Sequence, residues 1–107
     1  MNIGVAIKWI RKKLLISQQE LASKCHLTQT SLSQIETGAK RPSRKTIDKV
    51  CSALDIPEPI IYLIALQDGD IPESKKQIYR LIYPSLRNLA LEIVSPELRE
   101  KIKQEEY

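Results

Sequence analysis

An all-α fold is predicted by three observations. Apolar residues recur every three or four positions along most of the chain, as on one face of a helix. Helix-starting and helix-stopping residues punctuate these runs at short intervals: Ser17, Thr28, Ser43 and Pro57 before them and Gly38 after one. Strand signals are nearly missing. The chain has no Phe, and its single Asp-Gly pair, Asp68-Gly69, lies between two helical patterns instead of two alternating ones.

The first helix is expected from about Ile3 to Leu15, with Val5, Ala6, Trp9, Ile10 and the stem of Lys13 near one face. Ser17 caps a second, and Glu20 three residues on completes a capping box; Leu21, Ala22 and Cys25 point inward. Thr28 caps a third helix whose inner face is Leu32 and Ile35, and Gly38 stops it by taking a left-handed conformation. Ala39-Lys40-Arg41-Pro42 follows as a basic loop. Ser43 caps a fourth helix with Ile47, Val50, Cys51 and Leu54 inward. Pro57 and Pro59 open a fifth, apolar helix through Leu66, where a first-turn proline sacrifices no hydrogen bond. Residues 1–67 thus form one five-helix domain, and residues 68–107 a C-terminal helical extension reached through the linker Asp68-Gly69-Asp70-Ile71-Pro72. Ile78, Ile82, Leu86, Leu89 and Ile93 make a helical stripe there. Pro84 interrupts it and pushes Tyr83 away from helical geometry, so a break with a fresh helix start is expected at Pro84. Ser95-Pro96-Glu97 resembles one more helix start.

A chain of 107 residues fits one domain with a short appendage. No apolar run reaches about 18 residues, the length a membrane span needs. The N-terminal stretch has its basic cluster after the first apolar residues and no small-residue cleavage site, unlike a signal peptide. Cys25 and Cys51 sit in helical apolar patterns too far apart for a metal site, and read as buried thiols of a cytoplasmic protein. Charge is uneven. Residues 1–67 hold 10 Lys and Arg against 5 Asp and Glu, whereas residues 68–107 hold 7 against 8. The basic surplus therefore accompanies the five-helix domain.

Within that domain, Gln19 to Glu36 reads as two short helices joined by a tight turn. Gln29, Thr30, Ser31, Ser33 and Gln34 are neutral hydrogen-bonders where a solvated helix face would carry charges. Glutamine can bond adenine bidentately, and threonine can meet a thymine methyl or a polar base edge.

Further positions carry a family resemblance. Ile16-Ser17-Gln18, Glu20-Leu21-Ala22, Leu27-Thr28-Gln29, Leu32-Ser33-Gln34-Ile35-Glu36, Gly38, Arg41-Pro42 and Ala53-Leu54 are similar to the Cro/repressor-type (lambda-repressor-like, XRE) helix-turn-helix regulators, over roughly Ile3 to Leu66. The resemblance implies a lambda-repressor-like five-helix domain that lays its third helix in the major groove of an operator. Gln29, Thr30, Ser33 and Gln34 are then the base-reading residues. Gln18, Lys40, Arg41, Arg44 and Lys45 are the phosphate-binding ones, and Arg44 and Lys45 oppose a helix dipole unless an anion is shared. It further implies an ion pair between Arg11 and Glu36, with phosphate contact as the other role open to Arg11. His26 departs from the family, which has Gly in this turn; a left-handed conformation there costs a His some strain.

Such domains act in pairs on two-fold sites, and residues 71–94 hold enough apolar side chain for a homodimer interface; the other course is that the extension folds back on its own domain. An antitoxin or adaptor reading would turn the C-terminal helices toward a toxin or another protein. Catalysis has little support: His26 is the only histidine and has no evident acid, base or nucleophile partner, and no cofactor or metal motif occurs.

Overall fold

The computed structural model describes residues 1–94, the side chain of Val94 excepted; the start expected at Ser95-Pro96-Glu97 lies outside them. Six α-helices follow in order: α1 Ile3–Lys13, α2 Gln18–Lys24, α3 Gln29–Thr37, α4 Arg44–Leu54, α5 Glu58–Ala65 and α6 Lys76–Val94. Among the described residues no strand occurs and no helix is long and apolar enough to cross a membrane.

Short polar side chains start these helices by satisfying orphan N–H groups. Asn2 Oδ1 accepts from Val5 N–H, Ser17 Oγ from Glu20, Thr28 Oγ1 from Ser31 and Ser43 Oγ from Thr46, each at 3.0–3.1 Å. Left-handed residues end them. Gly38, at φ 84°, closes α3, and Leu15, His26 and Asp55, at φ 59°, 55° and 54°, close α1, α2 and α4. Each of these three lets the next N–H reach back five residues: Ile16 to Arg11, Leu27 to Ala22 and Ile56 to Cys51.

Ile7, Ile10, Leu21, Leu32, Ile35, Val50 and Ile61 are fully or almost fully buried at the centre of the five-helix unit. Burial of each large aliphatic side chain contributes about 1.5–3 kcal/mol. The inner face of α1 is Ala6, Ile7 and Ile10, not the expected stripe through Val5, which is 49% exposed. The α1 face is rotated because Gly4 abuts α3. A Cβ on Gly4 would run into the Ile35 carbonyl oxygen and stand 2.9 Å from its carbonyl carbon.

The extension departs from its expected form in two places. Asp68–Asp70 and Glu73–Lys75 form short 3-10 turns within the linker region. Beyond them α6 runs unbroken through Pro84, and Tyr83 is helical, so no fresh helix begins there. The cost of the proline is a lost bond to the Arg80 carbonyl and a ring clash. Contacts on both sides of Pro84 offset it by holding α6 on one surface. Tyr79 and Tyr83 donate to the carbonyls of Leu66 (3.0 Å) and Ile64 (2.5 Å). With Asn2 N–H on the Ala65 carbonyl at 2.9 Å, three carbonyls at the end of α5 gain partners. Arg87 stacks on Trp9 of α1, 4.7 Å from the ring centroid, and Ala90 is buried in the common core. One face of α6 is therefore docked on the domain.

Candidate nucleic-acid interface

The nine residues of α3 place Leu32 and Ile35 in the core and turn the other face outward. Gln29, Thr30, Gln34 and Thr37 on that face are exposed and Ser33 is half-buried. None of the five carries a charge. Thr37 was not among the expected base readers, although its distance of four from Ser33 was the available signal. Its Oγ1 donates to the Gln34 carbonyl at 3.2 Å, at the last turn of the helix. An α3 of nine residues is about 13 Å long, comparable with a major groove about 12 Å wide.

A polar network fixes this helix from behind. Arg11 donates from Nε and Nη2 to the two oxygens of Glu36, at 2.8 and 2.9 Å, and from Nη1 to the Ile16 carbonyl at 2.9 Å. Both side chains are almost fully buried. The Glu36 carboxylate bonds to the Arg11 guanidinium and raises its pKa further, so Arg11 stays charged. One side chain thus joins α1, the loop before α2 and the last turn of α3. The network continues outward: Gln18 Nε2 donates to Glu36 Oε1 at 3.2 Å, and Gln29 Nε2 donates to Gln18 Oε1 at 3.4 Å. Gln18 at the start of α2 and Gln29 at the start of α3 are brought together, leaving one N–H and the Oε1 of Gln29 free for a ligand. Sequence spacing alone gave no sign of this link, since 11 residues separate the two amides.

The four cations expected to hold phosphates, Lys40, Arg41, Arg44 and Lys45, do not form one cluster. Lys40 and Arg41 are exposed in the turn after α3, where Lys40 N–H caps the Gln34 carbonyl at 3.1 Å. Arg44 turns away from them and forks onto Glu58 of α5 at 2.5 and 2.8 Å, with Asp48 at 3.5 Å. Glu58 first and Asp48 second raise the Arg44 pKa. The anion that relieves Arg44 at a helix N-terminus is thus supplied by the chain itself. Lys45 lies with Lys24, His26 and Lys49 around an open groove between the end of α2 and α4, with Asp48 on its wall. Burial raises the thiol pKa values of Cys25 and Cys51, and no group of three His, Cys, Asp or Glu side chains among the described residues could hold a metal ion.

Comparison with known families decides what this arrangement belongs to. The profile of the family described as Helix-turn-helix matches residues 7–61, from the middle of α1 to the middle of α5. The chain belongs to the helix-turn-helix family. In this helix-turn-helix domain α2 and α3 are the motif, and His26 is the residue that turns between them. A curated relative, the immunity repressor protein of Bacillus phage phi105, is 39% identical over 56 residues, which cover 52% of this chain. The match spans 39% of that repressor's own length.

Proposed function

We propose that the chain is a cytoplasmic, sequence-specific transcriptional regulator, a repressor, that binds an operator by inserting α3 into the major groove. The observation that carries this reading is the uncharged, hydrogen-bonding face of α3, held rigidly by the buried Arg11–Glu36 pair. Gln29, Thr30, Ser33 and Gln34 read base edges, and Thr37 adds a contact at the far end. Gln29, tethered to Gln18, presents its free amide atoms to one adenine with little freedom left to lose. Gln18 keeps one N–H for a phosphate beside the start of α2. Lys40 and Arg41 hold the backbone beyond the end of α3, and Lys45 with Lys24 and Lys49 extends the positive rim. Arg44 joins α4 to α5 through Glu58, and its exposed guanidinium, still charged, can be shared with a phosphate.

The likeness to a phage immunity repressor over 56 residues supports the repressor reading. Two copies acting on a two-fold operator complete the proposal. Selection of bound sequences from random duplex DNA with the purified full chain tests it. Enrichment of a motif of two inverted half-sites is expected. No enrichment at low salt would overturn the base-reading role of α3.

A further inference from the structure

The groove between the end of α2 and α4 gathers positive charge that its own wall does not neutralise. Lys24 ends α2, His26 turns the chain toward α3, and Lys45 and Lys49 stand four residues apart on one face of α4. Asp48 is the one carboxylate among these lining residues, and it is shared, since Arg44 stands 3.5 Å from it. Three ammonium groups thus have one divided counter-charge. Lys24, His26, Lys45 and Asp48 are exposed and Lys49 is half-buried, which leaves the charges open to a ligand.

His26 is the unusual member. It holds φ 55° without the freedom of glycine and, being exposed, gains little packing in return. Strain kept beneath an exposed side chain points to a use for that side chain. Imidazole changes its charge between pH 5 and 8. A proton here adds a fourth positive charge to the groove, and a polyanion lying along it favours that proton.

Position selects the anion. Gln18 and Lys24 mark the two ends of α2, about 9 Å apart along its axis. With α3 in a major groove about 12 Å wide, one sugar-phosphate strand passes on each side of it. Gln18 stands at one strand. The groove begins at the other end of α2 and continues to Lys45, just past the basic loop that leaves α3. Cations spread over α2, the turn and α4 suit the successive phosphates of a duplex better than one small anion.

We propose that this groove grips the second backbone strand of the DNA through its phosphates, and that His26 tightens the grip as pH falls. This rests on the operator reading above and adds to it a pH-sensitive contact. Phosphates favour the imidazolium, so binding takes up a proton. Affinity therefore rises as pH falls and levels off once His26 is charged in the free chain as well.

The experiment uses the full chain with random-sequence duplex DNA at constant low salt, so it does not depend on base reading. Affinity should rise about tenfold from pH 8 to pH 5.5, the factor that corresponds to a titration moved by one pH unit. His26→Gly, which relieves the strained turn and so keeps the fold, should lose most of that rise. Because His26 is the only histidine in the chain, its ring protons can be followed by NMR without ambiguity. They should titrate at higher pH with DNA than without. An equal rise for the natural chain and His26→Gly, or the same titration with and without DNA, would overturn the proposal while leaving the operator reading intact. No binding of duplex DNA at any pH would overturn both. A displacement matched by millimolar inorganic phosphate alone would overturn the backbone assignment and reduce the groove to a general anion site.

Discussion

At the scale of single residues, the helix ends carry an uneven distribution of strain. Gly38 adopts its left-handed conformation freely, but Leu15, His26 and Asp55 do so with a Cβ, which costs roughly 1–2 kcal/mol for an ordinary side chain. Asp tolerates it best; Leu15, 77% exposed, gains little packing in return. His26→Gly and Leu15→Gly should therefore each stabilise the fold by about 0.5–1 kcal/mol, the larger unfolded-state entropy of glycine offsetting part of the relief. Urea denaturation followed by circular dichroism checks this, and an unchanged or lower midpoint in both variants would show that the turns are not strained. The strain at His26 was legible in the sequence because the family resemblance supplied a Gly for comparison. That at Leu15 was hidden, since Leu14, Leu15 and Ile16 look like a continuation of the first helix's apolar run.

At the scale of elements, four of the six described helices could be read from their starts. Ser17, Thr28 and Ser43 each cap the helix expected of them, and Pro57 and Pro59 open α5. Such signals are local, needing only a side-chain oxygen and an N–H three residues on. Two features escaped because they depend on contacts between distant elements. Pro84 breaks a helix by local rules, yet tyrosine hydroxyls, the Arg87–Trp9 stack and the buried Ala90 keep α6 whole. Gly4 passes unnoticed in a helical pattern, although it is where α1 touches the backbone of α3. The consequence is specific. Gly4→Ala, a substitution that would favour an isolated helix, should destabilise this one by at least about 1–3 kcal/mol, through overpacking against Ile35. A thermal melt of the variant at or above that of the natural chain would mean that α1 and α3 separate without cost.

For the whole molecule, the helix-turn-helix unit and the extension form a single body with two outward-facing surfaces. The uncharged polar face of α3, proposed here to read bases, could be recognised in the sequence, because such a helix face is unusual enough to stand out. Its support was only partly legible: the Arg11–Glu36 pair followed from resemblance, whereas the Gln29–Gln18–Glu36 link and the pairing of Arg44 with Glu58 need the folded arrangement. The extension posed a choice between docking on its own domain and facing outward. The structure gives one face of α6 to the domain and leaves the second bare, which a stripe of spacings cannot distinguish.

The most direct test of base reading by α3 is a pair of binding curves, on the selected operator and on random duplex DNA, for the natural chain, Gln29→Ala and Arg41→Ala across a range of salt. Gln29→Ala should lose about 1–3 kcal/mol on the operator and almost nothing on random DNA. Arg41→Ala should weaken both alike and reduce the salt slope by about one unit. Equal weakening of both DNAs by Gln29→Ala would contradict the assignment of α3 as the helix that reads sequence.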